Sequence, residues 1–243
     1  AIDSITEYMK IGGRLFYIGA GTSGRLGVLD ASECPPTYSV SPELVQGIIA
    51  GGEQAMFRAK EGIEDNENAA ADDLTAKKTT EKDTVIGLAA SGRTPYVIGG
   101  LKYARRLGAF TVSIACCADS AVGKYADIAI EAVTGPEVVT GSTRMKAGTA
   151  QKLILNMIST TVMIKMGKVY QNLMVDVHAS NLKLQERARR IVMEATGVSY
   201  DTAAEVLGKT GGRVKPAIVM QLLHIDLPAA EKQLLNNGGS IRK

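Results

Sequence analysis

The sequence predicts an α/β fold in which a parallel sheet of about five strands is flanked by helices on both faces, with a small helical module after it. Three observations support this prediction. Short apolar runs of strand length alternate with segments of helical periodicity. Two of these runs end in glycine-rich turns, and only helical patterns follow residue 144. At 243 residues the chain is long enough for one such domain and a small appendix.

The first half of the chain supplies most of the predicted sheet. An apolar stripe through Ile2, Ile5 and Met9 predicts a first helix whose beginning lies outside the sequence. Strands are predicted at residues 14–18, 44–50, 84–88, 111–115 and 128–132. Helices are predicted after the first strand, twice within the charged, Ala-rich segment 53–78, and at residues 95–107.

The second half is predicted to be helical. A long helix is expected at residues 144–168, and its stripe of Leu153, Ile154, Met157, Ile158 and Val162 is expected to pack in the core. A second helix is predicted at residues 181–195, followed by three short helical stretches. We therefore expect a sheet domain at residues 1–180 and a C-terminal helical region, with a small three-helix module, at residues 181–243.

Composition excludes several classes of function. The hydrophobic fraction is 45% and the formal net charge is +3, without the basic excess of a nucleic-acid-binding protein. No apolar run reaches the roughly 18 residues that a membrane span requires, and residues 1–10 lack a signal-peptide pattern. The spacing of Cys34, Cys116 and Cys117 fits neither disulfides nor a metal site. We expect a cytoplasmic protein with a small-molecule partner, no nucleic-acid or membrane partner, and no bound metal.

The first glycine-rich turn matches a dinucleotide fingerprint. Residues 19–24 read Gly-Ala-Gly-Thr-Ser-Gly after a strand and before a helix. A nicotinamide cofactor would also need an acidic residue at the end of the next strand, where the chain has Ala50, Gly51 and Gly52, with Glu53 the nearest candidate. A dinucleotide-dependent oxidoreductase is therefore the least favoured of three hypotheses, and no cofactor is expected.

Hydroxyl and basic side chains in the two turns favour a phosphate ligand instead. The side chains are Thr22 and Ser23 in the first turn, and Ser91, Arg93 and Thr94 in the second. Hydroxyls and free N–H groups at a helix N-terminus bind phosphate monoesters. Each hydroxyl is equally suited to capping its own helix. Because both turns fall at the carboxyl edge of the sheet, where ligands bind in such folds, their repetition favours a ligand.

Three carboxylates are candidates for acid–base chemistry. Glu33 precedes Pro35 and Pro36, which are predicted to end the helix and to leave Glu33 on a stiff loop. Glu61 and Glu64 flank Gly62, and their positions alone do not distinguish them from solvated surface groups. The residues by themselves leave all three open.

Four longer segments carry a family resemblance. Residues 19–36, 87–100, 140–152 and 167–176 resemble the N-acetylmuramic acid 6-phosphate etherase family of the sugar isomerase (SIS) superfamily, and the resemblance extends essentially from end to end. It implies an SIS-type three-layer fold and a homodimer. Family members usually carry a further N-terminal helical segment, which this sequence does not contain. A related regulator binds sugar phosphates and inhibits a sugar kinase, so a non-catalytic phosphosugar-binding regulator is the main alternative.

The resemblance also implies residue roles. Glu64 would remove the proton on carbon 2 of the sugar, and Glu33 would protonate the departing D-lactate and later activate water. Glu33 would then need a pKa above its ordinary value, through burial or through Glu64. The phosphate would be held by Thr22, Ser23, Ser91 and Thr94, with Arg93 or Lys146 as charge partner. The sequence leaves open whether His178 opens the sugar ring, as a His does in superfamily relatives, or is purely structural.

Overall fold

The computed structural model describes residues 1–58, 60, 62–177 and 182–242. Their contacts group the chain into two compact units. The first unit comprises Ala1–Glu33 and Ser41–Thr160, and the second comprises Cys34–Val40 and Thr161–Lys243. The domain boundary between residues 180 and 181 stays a prediction.

A five-stranded parallel sheet forms the centre of the first unit, which confirms the predicted fold class. Its strands are β1 (Leu15–Gly19), β2 (Val45–Ile49), β3 (Thr84–Ala89), β4 (Phe110–Ala115) and β5 (Ile128–Glu131). They lie in the order β2-β1-β3-β4-β5, so the direction of winding reverses at β1. Ligands of open parallel sheets bind at such a reversal, outside the carboxyl ends of the strands.

The central strands are short apolar runs because both faces of the sheet are covered there. All residues of β1 and β3 are buried. The helices of this unit are α1 (Ile2–Lys10), α2 (which begins at Gly21), α3 (Ala69–Ala76), α4 (Pro95–Leu107) and α5 (which begins at Lys146). The bounds of α4 match the prediction, since Pro95 starts it and Gly108, with a left-handed φ of 83°, ends it.

The segment after β2 differs from the prediction of two helices. It forms 3₁₀ helices at Glu53–Met56 and Ile63–Asp65, and only α3 is an α-helix. Gly62 precedes the second of them, and its left-handed φ of 74° interrupts the helical conformation of the segment. A further 3₁₀ helix, Val122–Tyr125, precedes β5.

Helix α2 corrects the prediction that the two prolines end it. It extends over Gly21–Tyr38 and contains Pro35 and Pro36. The proline ring fixes φ at a helical value, so the helix tolerates these residues while losing their N–H donors. The N–H of Ser39 still bonds to the Pro35 carbonyl at 2.9 Å. Glu33 therefore lies within a helix and not on a loop.

Helix α5 (Lys146–Lys165) corrects the prediction that its whole apolar stripe is core. Ile158 and Val162 are buried, but Leu153 is 50% exposed and Met157 is 56% exposed. Helical periodicity identifies an apolar face without saying what covers it. Leu153 and Met157, one turn apart, are uncovered in the single chain.

The second unit contains the predicted C-terminal helices. A hairpin of β6 (Val169–Tyr170) and β7 (Leu173–Met174), which the sequence did not predict, precedes α6 (Leu182–Thr196). The three short helices are α7 (Tyr200–Lys209), α8 (Val214–Leu223) and α9 (Leu227–Asn236). Side chains of Ser199 and Asp226 cap α7 and α9. Among the described helices, none has the length and apolarity needed to cross a membrane.

Candidate functional site

The turn between β1 and α2 is shaped by three glycines. Gly21 has a φ of 52°, in the left-handed region that favours glycine. Gly19 and Gly24 approach so closely that a Cβ on Gly24 would lie 2.6 Å from the Gly19 carbonyl oxygen. The dinucleotide-like glycine pattern is thus accounted for by the close packing of strand and helix, whatever the ligand.

A cavity of about 530 Å³ lies beside the turns that follow β1 and β3. It is lined by predicted site residues, namely Thr22, Ser23, Glu64, Ser91, Arg93 and Thr94, together with Ala20, Gly21, Asp65, Ala90, Pro95, Gly141 and Thr143. Helices α2 and α4 both begin at this cavity, so their first-turn N–H groups and dipoles favour an anion there. We name it the sheet-edge cavity.

The lining side chains differ in their availability to a ligand. Ser23 is buried, and its hydroxyl donates to Oε1 of Gln151 at 2.9 Å. Ser91 and Arg93 are exposed, and Thr94 is half-buried. Among the described residues, the Arg93 guanidinium has no hydrogen-bond or ion-pair partner. Arg93 is therefore the cation best placed to meet an anion in this cavity.

The segment that carries Glu64 is held by two cationic side chains. Arg25 of α2 donates from Nε to the Met56 carbonyl at 2.9 Å and from Nη2 to the Ala55 carbonyl at 2.8 Å. Lys60 Nζ donates to the Gly51 carbonyl at 3.0 Å. A smaller cavity of about 230 Å³, lined in part by Arg25, Lys60 and Glu64, adjoins the sheet-edge cavity. Glu64 itself is exposed and faces both spaces.

The loop before α5 contributes Gly141 and Thr143, which sequence reasoning missed. Glu137 anchors this loop, because its carboxylate accepts the N–H groups of Lys146 at 2.9 Å and Ala147 at 3.0 Å. These backbone hydrogen bonds, led by that of Ala147, lower the pKa of Glu137 below its ordinary value. The family-like segment 140–152 was the available signal, although it did not single out these two residues.

Glu33 does not line the sheet-edge cavity of its own chain. It lies eleven residues beyond Thr22 on the same helix, which corresponds to about 16 Å along the axis. Glu33 is exposed and lines a separate space of about 210 Å³ with residues of α2 and α5. The burial expected for Glu33 is thus not found, and a single chain does not bring Glu33 and Glu64 into one cavity.

Lys146 also lies outside the lining of the sheet-edge cavity. Its Nζ donates to the Pro136 carbonyl at 2.9 Å, so the side chain is turned toward its own loop. Its role as a phosphate partner stays a prediction. Glu61 and His178 fall outside the described residues. Within the described part of the chain, no group of three or more His, Cys, Asp or Glu side chains is arranged to hold a metal ion.

Comparison with known proteins identifies close relatives. The model of the glucokinase regulatory protein N-terminal SIS domain matches residues 1–105, and the SIS domain model matches residues 57–161. The N-acetylmuramic acid 6-phosphate etherase of Clostridium beijerinckii is 65% identical over 243 residues, covering 100% of this chain and 80% of that protein. That of Shouchella clausii is 61% identical, with coverages of 100% and 82%.

Solved structures support the fold. A ligand complex of a protein from Escherichia coli CFT073 aligns with a TM-score of 0.52 at 15% identity, covering 70% of this chain and 79% of that one. At this identity the likeness shows a shared architecture and nothing about substrate.

Proposed function

Since the chain belongs to the N-acetylmuramic acid 6-phosphate etherase family, we propose that it cleaves N-acetylmuramic acid 6-phosphate into N-acetylglucosamine 6-phosphate and D-lactate. The observation that carries this proposal within the structure is the sheet-edge cavity. It combines the hydroxyls of Thr22, Ser91 and Thr94 and the guanidinium of Arg93 with the carboxylate of Glu64. A phosphate-binding end and an acid–base group are thus present in one space.

Elimination followed by hydration suits carboxylate chemistry. In the open-chain sugar, the carbonyl at carbon 1 acidifies the proton on carbon 2, so a carboxylate can remove it. The electron pair forms the carbon 2–carbon 3 double bond, and lactate leaves from carbon 3 with a proton from an acid. Water then adds at carbon 3 and a proton returns to carbon 2. We assign the first proton transfer to Glu64 and the protonation of lactate to Glu33.

The position of Glu33 favours a site completed by a second copy of the chain. Glu33 and Leu29 lie one turn apart on α2, and Leu29 is 50% exposed. Helix α2 packs on α5 in the first unit, since Asn156 Nδ2 donates to Asp30 Oδ1 at 2.8 Å. The exposed Leu153 and Met157 of α5 add to the uncovered apolar surface. We propose a homodimer that buries this surface and brings Glu33 to the sheet-edge cavity of the partner copy.

We place this activity in the cytoplasm, as part of the recycling of cell-wall sugars. Cys116 and Cys117 are free thiols, which suits a reducing compartment. The phosphorylated substrate carries two anionic groups and does not cross a bilayer unaided.

The reaction is tested by incubating the chain with N-acetylmuramic acid 6-phosphate in water enriched in oxygen-18. Unlabelled D-lactate and a labelled hydroxyl on carbon 3 are expected, together with loss of activity in Glu64→Gln. A folded protein that binds the sugar phosphate without releasing lactate would instead be a non-catalytic regulator.

The shared site is tested by mixing inactive Glu33→Gln and Glu64→Gln chains after dissociation. If each site takes Glu33 from one copy and Glu64 from the other, about half of the randomly reassociated dimers are mixed and each has one intact site of two. The mixture should then regain about a quarter of the wild-type activity. Sites made within one chain would stay inactive after mixing. Each variant is also incubated with the substrate in deuterated water. The variant that no longer exchanges the proton on carbon 2 lacks the carboxylate that removes this proton.

A further inference from the structure

A second cavity, of about 640 Å³, lies wholly within the second unit of the chain. We call it the C-terminal cavity. It is lined by Ser39, by Val175, Asp176 and Val177, by residues 213–216, by Glu231, Leu234 and Leu235, and by Gly238 and Gly239. Its volume is within the range of roughly 300–1,000 Å³ that small-molecule sites occupy. None of these residues has a role in the ether cleavage proposed above.

Two ammonium groups share one carboxylate at this cavity. Asp176 Oδ2 lies 2.8 Å from Lys215 Nζ and 3.2 Å from Lys168 Nζ. The other cation in the cavity lining, Arg213, is already neutralised by Glu231, since Arg213 Nη2 lies 2.6 Å from Glu231 Oε1. The group of Asp176 and the two lysines thus carries one uncompensated positive charge.

Lys215 is the cation that a ligand would meet. Its side chain is only 11% exposed, and desolvation by burial lowers its pKa in spite of the Asp176 partner. Its ammonium has three donors, and in the described chain its only partner is Asp176. A Cβ built on Gly239 would stand 3.9 Å from Nζ, so the glycine leaves space beside the charge. Unused donors on a buried cation are costly unless an acceptor meets them.

The remaining walls are largely apolar. Val175, Val177 and Val214 are buried, and Leu235 is 81% exposed at the cavity. We propose that the C-terminal cavity binds a small organic monoanion, whose anionic group meets Lys215 and whose aliphatic body lies against the valine and leucine side chains. The one excess positive charge favours a ligand with a single negative charge, and the apolar walls of the cavity favour a ligand with an aliphatic body.

Octanoate is the probe for this proposal, and its binding to the intact chain is measured by calorimetry and by NMR. Acetate has the carboxylate without the long aliphatic chain, and octanol has the aliphatic chain without the carboxylate. We expect saturable binding of octanoate, with acetate and octanol each binding at least about tenfold more weakly. Absence of saturable octanoate binding, or binding of octanol as tight as that of octanoate, would overturn the proposal.

Substitution of Lys215 tests whether octanoate binds in the C-terminal cavity. Lys215→Met should weaken octanoate binding at least about tenfold, since a charge-assisted hydrogen bond is lost. Asp176 keeps Lys168 as a partner in this variant. The matched control is Lys209→Met, because Lys209 is an exposed lysine paired with Glu205 on α7. Equal binding by Lys215→Met and wild type would refute the assignment.

A second variant decides the question if Lys215→Met does not fold. Leu235→Glu changes an exposed side chain, so folding should be retained, and it places a negative charge at the cavity. Octanoate binding should fall at least about fivefold through repulsion and lost apolar contact. Unchanged binding by this folded variant would also contradict the proposal.

Discussion

The hydroxyl of Ser23 donates its proton to Oε1 of Gln151, at 2.9 Å, and both side chains are buried. A hydroxyl has one proton, so Ser23 in this arrangement has no side-chain donor left for a phosphate oxygen. Its backbone N–H, in the first turn of α2, remains available. The side chain therefore supports the turn, while the exposed Ser91 has a hydroxyl free to reach a ligand.

Ser23→Ala is expected to reduce stability more than substrate affinity. Loss of the buried hydrogen bond should lower the free energy of unfolding by about 1–2 kcal/mol, which urea denaturation measures. The KM for the sugar phosphate should change less than in Ser91→Ala. A KM increase in Ser23→Ala as large as that in Ser91→Ala would mean that the Gln151 amide is reversed and that the Ser23 proton reaches the phosphate.

Arg93→Gln is expected to weaken recognition of the phosphate. The guanidinium lines the sheet-edge cavity without a hydrogen-bond or ion-pair partner in the described chain, so its removal leaves no protein group unpaired. A charge-assisted hydrogen bond is worth about 1.5–3 kcal/mol, so kcat/KM should fall by roughly tenfold to a hundredfold. Inorganic phosphate should also inhibit the variant less. Arg144→Gln, an exposed arginine outside this lining, is the control, and an equal loss there would contradict the assignment.

Much of the fold could be predicted because local signals agreed with the tertiary structure. The strands β1 and β3 are buried at every residue, so each appears as an apolar run. Helix α4 was bounded correctly because proline and glycine mark its two ends. Helix α2 was predicted too short, since proline propensity alone does not show that a helix can continue through Pro35 and Pro36.

The site was less predictable because its parts meet through tertiary structure. The hydroxyl turns could be found, since each directly follows a strand. Gly141 and Thr143 could not, because Glu137 positions their loop through hydrogen bonds to the start of α5. Likewise, the periodicity that placed Leu153 and Met157 in the core cannot distinguish a face covered by the same chain from one left exposed.

Glu137→Ala is expected to disorder the loop that carries Gly141 and Thr143. The carboxylate accepts two N–H groups at the start of α5, where negative charge is favoured by the helix dipole. We expect the KM to rise several-fold, with a smaller rise for Glu137→Gln, which keeps one acceptor oxygen. Hydrogen exchange of residues 138–146 measures the loop directly, and unchanged exchange in Glu137→Ala would rule out this anchoring role.

Asp83 should make stability depend on acidic pH. Burial alone would raise its pKa, but hydrogen bonds from the Arg14 side chain and from the Thr80 and Arg14 backbones outweigh it, and the pKa is lowered. Arg14 Nη2 lies 2.8 Å from Asp83 Oδ2. A carboxyl group whose pKa is lower in the folded than in the unfolded protein stabilises the folded state at pH values above its unfolded pKa of about 3.9. This stabilisation is lost as the pH falls through the pKa of the folded state.

Asp83→Asn should therefore lower the free energy of unfolding at pH 7 by about 3 kcal/mol, because it leaves Arg14 without its charge partner. It should also flatten the fall in stability below pH 4. Urea denaturation at pH 7 and pH 3 checks both effects. Glu67→Gln, at an exposed ion pair with Lys102, is the control and should leave the free energy of unfolding nearly unchanged, because water screens this pair. A pH dependence in Asp83→Asn identical to that of the wild type would exclude this role of Asp83.

Met157→Glu is expected to separate the proposed homodimer and to lower activity with it. Met157 is 56% exposed in the single chain, so a glutamate there should not disturb folding, yet it would place a charge in the proposed interface. Sedimentation should show monomers, and kcat should fall together with the dimer fraction because Glu33 would no longer reach the partner's cavity. Ile11→Glu, at an apolar side chain that is 63% exposed beside α1, is the matched control and should remain dimeric and active. Monomers of Met157→Glu with full activity would show that one chain completes the site alone, and the proposed role of Glu33 across the interface would then be wrong.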